Sequence, residues 1–130
     1  MKEIKALLFD LGGVIIDIDL EFTFADWAKS ANCDVTKIQE AFSQDVFYKA
    51  HERGEIEASA YFESLRNSLG INISDQQFKD GWNAILKDEL SGIYDVLKKA
   101  KQRFPLFAFS NSNHTHQEIW AVKYAKTLSL

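Results

Sequence analysis

The segment KALLFDLGGVIID (Lys5–Asp17) constrains the fold more than any other part of the chain. Ala6 to Phe9 are consecutive apolar residues rather than an alternating set, the pattern of a parallel strand covered on both faces. The run ends on a carboxylate, Asp10, and Gly12 and Gly13 follow before a second apolar run, Val14-Ile15-Ile16. Glycines just after a strand let the backbone turn sharply and approach a ligand closely, leaving N–H groups to face an anion. Open parallel α/β sheets bind ligands at the carboxyl ends of their strands. A charge at such an end is therefore where chemistry is expected.

The remaining pattern sets the organisation. Residues 4–10 and 14–16 read as strand. Leu20, Phe24, Trp27, Ala28 and Ala31 share one helix face, with Asp19 as its N-cap. Val35, Ile38, Ala41 and Phe42 make a second helix, and Val46 to Arg53 a third that ends at Gly54. Tyr61, Phe62, Leu65 and Leu69 make a fourth, stopped by Gly70. Ser74 and Gln77 form a capping box that opens a fifth, with Phe78, Trp82, Ile85 and Leu86 expected inward. Ser91 is expected to cap a further helix bearing Ile93, Val96, Leu97 and Ala100, and Pro105 closes it. A short apolar run, Leu106 to Phe109, finishes on Ser110. NSNHTH (111–116) reads as a solvated polar loop, histidines included, and Gln117 to Lys126 as helix. About 70 residues of helix thus interrupt one parallel strand pair.

Composition narrows the function classes. With 130 residues and 46% hydrophobic content the chain is about one domain long with enough apolar material for a core. The net charge of −4 offers no basic stripe for nucleic acid. No window approaches the roughly 20 apolar residues of a membrane span. One cysteine, Cys33, forms no internal disulfide and suits a reducing, cytoplasmic setting. His51, His114 and His116 lack the cysteine or carboxylate cluster of a metal site.

Both strands end on a residue able to meet an anion. Ser110 and the amide of Asn111 are placed to hold the anion that faces Asp10. A carboxylate there attacks phosphorus when a divalent cation offsets the repulsion between two anions. FDLGGVIIDID resembles the first motif of the haloacid dehalogenase superfamily, LFAFSNSN resembles its second, and HERGEI (51–56) resembles the helical cap of its sugar-phosphate phosphatases. The resemblance implies an α/β fold: a Rossmann-like core, with partial parallel sheet, from residues 1–16 and 89–130, and an α-helical cap at 17–88. It implies Mg²⁺-dependent hydrolysis of a small phosphomonoester, such as a sugar phosphate, through an aspartyl-phosphate. Asp10 matches the nucleophile and metal ligand, Gly12 the position whose carbonyl binds the metal, and Ser110, with Asn111, the phosphate binder. Asp17 matches an aspartate at the entry to the cap.

The resemblance is incomplete. Gly12 stands where a second aspartate usually serves as acid/base. After Glu118 the chain has no Asp or Glu, and its late lysines, Lys123 and Lys126, fall in an expected helix. The third-motif lysine and fourth-motif acidic pair are therefore missing, and the chain reads as the N-terminal part of a longer protein or as one cut short. Two alternatives follow: a catalytically incomplete core-plus-cap that binds a partner or phosphate, and a 2-haloacid dehalogenase using the same aspartate. The apolar edge of KALLFDL is expected to drive dimerisation or aggregation unless a longer chain covers it.

Overall fold

The computed structural model describes residues 2–130. Strand β1 (Leu7–Phe9) pairs in parallel with β4 (Leu106–Ala108). The register sets Leu7 against Leu106 and Phe9 against Ala108, and Phe109 N–H continues the ladder to the Phe9 carbonyl at 2.8 Å. The expected parallel pair is thus present, as an α/β arrangement, though β1 is shorter than 4–10.

After β1 the chain closes a tight loop on one oxygen. The Leu11 carbonyl accepts from Val14, Ile15 and Ile16 N–H at 3.2, 2.9 and 2.9 Å, and Gly13 takes φ +74°, a left-handed value favouring glycine. Val14 and Ile15 therefore lie in a turn, not in the strand expected over 14–16. Strand β2 (Ile16–Ile18) instead pairs antiparallel with β3 (Leu86–Glu89), so Leu86 belongs to a strand rather than to the fifth helix. Both edges expected for the helical insert, after residue 16 and before residue 89, fall within this ladder.

Between β2 and β3 lie α1 (Leu20–Ala31), α2 (Val35–Ala41), α3 (Val46–Glu52), α4 (Ala58–Leu69) and α5 (Asp75–Asn83). Their caps are those the sequence carries: Asp19 accepts from Glu21 N–H, Gly54 and Gly70 are left-handed, and the Ser74/Gln77 box is reciprocal. One aromatic core holds them together. Trp27 and Trp82 stack at 5.7 Å, Phe62 stacks on Phe78 at 5.7 Å, and buried Trp27 donates from Nε1 to the Phe78 carbonyl at 3.1 Å.

A second, smaller core surrounds the strand ends. Leu11, Ile15, Ile16, Leu97 and Tyr124 are buried, drawn from the loop after β1, from the start of β2, from α6 (Ile93–Lys101), and from the residue between α7 (His114–Lys123) and α8 (Ala125–Leu128). The start of α6 is displaced from expectation. Gly92, at φ +79°, is its N-cap in place of Ser91 and makes no side-chain cap bond.

Candidate active site

Asp10 and Ser110 each sit one residue beyond the last ladder bond, the one joining Phe9 to Phe109. The sequence therefore brings its two expected strand-end residues to the same sheet edge. The Asp10 carboxylate is exposed, and its Oδ1 accepts from Leu11 N–H at 2.8 Å. Gly12 is exposed and outside the left-handed region. Ser110 is half-buried and Asn111 exposed.

A cavity of about 310 Å³ opens between these loops and the helical insert. Gly12, Ser110, Asn111 and Ser112 line it from the strand ends, and Tyr48, Glu52 and Trp82 from the helices. The Asp10 side chain is not among its walls. A wider cleft of about 530 Å³ shares Tyr48, Glu52 and residues 110–112 with it, and adds Lys49 and Arg53. Tyr48 and Glu52, one helical turn apart, face both spaces, while Lys49 and Arg53 form the neighbouring stripe of α3.

The segment expected as a solvated loop, 111–116, is instead the start of α7 and a seam. Asn113 is buried and serves as the N-cap: its Oδ1 accepts from His116 N–H at 2.8 Å while its Nδ2 donates to Glu52 Oε1 at 2.7 Å. His51 Nε2 lies 3.2 Å from Thr115 Oγ1, His116 Nδ1 lies 3.0 Å from Asn83 Oδ1, and Lys79 pairs with Glu118 at 2.6 Å. His116 also stacks on Trp82 with centroids 5.3 Å apart. Of the histidines in that segment only His114 is solvated, in an ion pair with Glu118.

This burial shifts titrations. His116 is pushed down to about 4 because desolvation penalises the imidazolium, with neighbouring His51 adding repulsion. His51 is lowered by desolvation as well. Desolvation raises Glu52 above the usual carboxylate range, opposed by the bond from Asn113. Asp17 pairs with Lys87 at 3.2 Å across the β2–β3 ladder, Asp19 is occupied as a cap, and Cys33 packs half-buried against the aromatic core. None of these three lines the cavity. Among the described residues no three His, Cys, Asp or Glu side chains converge as a metal site.

No family model matches the chain. A curated relative, D-ribitol-5-phosphate phosphatase of Bacteroides thetaiotaomicron, is 23% identical over 110 residues, which is 85% of this chain and 53% of the relative. A solved haloacid dehalogenase family enzyme from the same organism, in a magnesium complex, superposes with a TM-score of 0.76 at 32% identity, covering 94% of this chain and 59% of that one. Its complex with magnesium and inorganic phosphate gives 0.75 at 31%, over 93% and 59%. Over nearly its whole length the chain is similar in sequence and fold to this haloacid dehalogenase family enzyme. A haloacid dehalogenase-like hydrolase of Porphyromonas gingivalis shares the fold, with a TM-score of 0.68 at 23% identity. The chain spans between half and three-fifths of the length of these proteins. Its strand-end loops and residues of α3 and α5 line the cavity; the sequence allows one or two of the insert's aromatic residues, otherwise core, to line a pocket without saying which, and Tyr48 and Trp82 are the ones that do. Glu52, within HERGEI, carries no such signal in the sequence.

Proposed function

We propose that this chain carries the phosphoryl-transfer site of a Mg²⁺-dependent phosphohydrolase acting on a small, hydroxylated phosphomonoester. The observation that carries this reading is that Asp10 and Ser110 follow hydrogen-bonded parallel strands at one sheet edge, where Leu11, Gly12 and Ser110 line a cavity. The named activity of the Bacteroides relative, on a phosphorylated polyol, supports the substrate class. A cavity of about 310 Å³ is at the small end of ligand pockets, which suits such a substrate.

In this reading the Asp10 carboxylate, released from its exposed bond to Leu11 N–H, attacks phosphorus as the ester P–O bond breaks, giving an aspartyl-phosphate and an alcohol whose oxygen takes its proton from solvent; water then attacks that phosphorus, releasing inorganic phosphate and the free carboxylate. Ser110 and the Asn111 amide hold the phosphoryl oxygens. Asp10 and the Gly12 carbonyl are the oxygens this chain offers to Mg²⁺. Mg²⁺ commonly takes one or two carboxylates plus phosphate oxygens and water, so the pair fits a cation that arrives with the substrate. The cation would screen the approach of two anions and polarise the phosphoryl group. Gly12 has no side chain to move a proton, which favours slow turnover, because general acid–base help is typically worth about 10² to 10⁴ in rate.

Residues 17–88 act as the cap that closes over the site, on a core of 1–16 and 89–130. The free, half-buried Cys33 suits a cytoplasmic location, and among the described residues no helix is long and apolar enough to cross a membrane. Self-association uses the open edge of β1. A second reading, a binder of phosphate without turnover, is favoured by the lone motif carboxylate and by Gly12. Turnover of p-nitrophenyl phosphate with Mg²⁺ decides between them: hydrolysis lost in Asp10→Asn supports the enzyme, and phosphate binding without hydrolysis supports the binder.

A further inference from the structure

The helical insert and the strand-bearing part of the chain keep separate interiors. The buried residues of the aromatic core all lie between Phe24 and Trp82, and those of the smaller core are Leu11, Ile15, Ile16, Leu97 and Tyr124. The parts are joined by the short β2–β3 ladder and by a seam where α3 and α5 meet the start of α7. That seam is largely polar. It consists of the Asn113–Glu52, His51–Thr115 and His116–Asn83 contacts, with the Lys79–Glu118 ion pair at its edge. An apolar interface resists separation because water recovers its area, whereas polar groups exchange their bonds for bonds to water.

The seam also holds two imidazoles without a counter-ion. His51 is buried and stacks on Tyr61 with centroids 4.7 Å apart, and its Nδ1 has no hydrogen-bond partner among the described residues. His116 stacks on Trp82 and donates from Nδ1 to Asn83 Oδ1, so a second proton enters at Nε2. The titratable groups around the pair are Tyr48 and Glu52 on α3, Tyr61 on α4, Lys79 and Asp80 on α5, and His114 and Glu118 on α7 itself. Residues 110–113 bring none. Glu52 is engaged by Asn113, Asp80 by Gln76, and Glu118 by Lys79 and His114. Neither His51 nor His116 forms an ion pair among the described residues. A proton on either ring is therefore a charge taken out of water with nothing opposite it, and the two rings repel when both are charged.

We propose that this seam is a proton-released catch: neutral His51 and His116 hold the helical insert down on α7, and their protonation frees it to swing on the β2–β3 ladder with its aromatic core still folded. A hydrated imidazole takes up its proton near pH 6.5, whereas docked His116 takes it only at about 4. Docking is therefore complete above pH 6.5 and is lost as pH falls toward 4. Between pH 7 and pH 5, His116 alone should raise the ratio of open to docked chains about twentyfold. His51, also lowered, acts in the same direction. The release reaches the cavity. Asn113 caps α7 and bonds Glu52, so opening the catch separates the strand-end wall at residues 110–112 from the insert wall at Tyr48, Glu52 and Trp82.

Nitroxide labels on the intact chain test it, at Glu40→Cys on α2 and Lys98→Cys on α6, both exposed, in a Cys33→Ala background. The distance between them should show one docked population at pH 7. A second population should grow at least about tenfold by pH 5, while the amides of α1 and α4 stay protected from hydrogen exchange. His116→Gln keeps a side chain able to reach Asn83 but no titrating ring, and should cut that growth at least about fivefold. Adding His51→Gln should bring it below about twofold. Lys79→Met loosens the same seam without touching either imidazole, so it should raise the open share at both pH values and keep their ratio. An unchanged distribution between pH 7 and pH 5, an undiminished response in the histidine variants, a response abolished by Lys79→Met, or loss of α1 and α4 protection along with the opening would overturn the catch. No substrate enters the measurement, so its outcome is separate from that of the Asp10 assignment.

Discussion

A Cβ built on Gly12 would meet the Ile18 Cδ1 at 3.2 Å, the end of a flexible side chain, and the backbone there is not left-handed. Gly12→Asp should therefore fold, at a cost below about 1.5 kcal/mol, and raise turnover at neutral pH by returning an acid/base to the strand end. Soluble, folded Gly12→Asp with turnover no higher than the unaltered chain would count against that role. Gly81 is the opposite case. Its Cβ would lie 2.3 Å from Trp27 Cδ1, in ring atoms locked by stacking. Gly81→Ala should destabilise by roughly 3 kcal/mol, at the upper end of overpacking effects, where an exposed helical glycine would gain about 1 kcal/mol. Urea denaturation distinguishes the two. His116 gives a pH signature of stated sign. Its folded value of about 4 lies below the unfolded 6.5, so the unfolded chain binds the proton first as pH falls. The stability it contributes is complete above pH 6.5 and is lost toward pH 4, by about 2 kcal/mol at pH 5; His51, also lowered, acts in the same direction. In His116→Gln the denaturant midpoints at pH 7 and pH 5 should lie closer together than in the unaltered chain.

The elements that sequence reasoning placed best are those whose signals are local. Helices α1 to α4 end where Asn32, Phe42, Arg53 and Gly70 stand, and the capping box at Ser74 opens α5 as its spacing requires. Ser74→Ala should cost about 1 kcal/mol by thermal unfolding, the usual price of a lost N-cap. What stayed hidden depends on distant partners. Strand β3 reads Leu-Lys-Asp-Glu, with no apolar alternation, and exists because β2 pairs with it. The start of α7 was obscured because Asn113 and Thr115 are polar yet buried and His116 is half-buried, each satisfied by a side chain from the helical insert. For the same reason Asp10, Gly12, Ser110 and Asn111 were legible as strand-end residues, while Lys49 and Glu52 were not. Their place at the site follows from the docking of α3 on α7.

The whole molecule exposes 8406 Å², against about 7,000 Å² for a compact monomer of this mass. The excess of roughly 1,400 Å² is more than the roughly 800 Å² that each partner contributes to a standard protein–protein interface. Leu8, Phe107 and Phe109 are 66%, 56% and 69% exposed on the β1–β4 pair, and the far edge of β1 has no partner strand among the described residues. An apolar strand edge of this kind favours association. Sedimentation should show mass rising with protein concentration, and Leu8→Lys with Phe109→Lys should suppress the rise. A monomer at all concentrations would count against it. The central claim concerns the other end of the same strand, and the most direct measurement is to quench turnover of a phosphomonoester with acid in the presence of Mg²⁺ and locate the phosphoryl group by mass spectrometry. Our account predicts one hydroxylamine-labile phosphoryl group on the peptide containing Asp10, absent from Asp10→Asn. A phosphoryl group on any other residue, or hydrolysis that persists in Asp10→Asn, would contradict it.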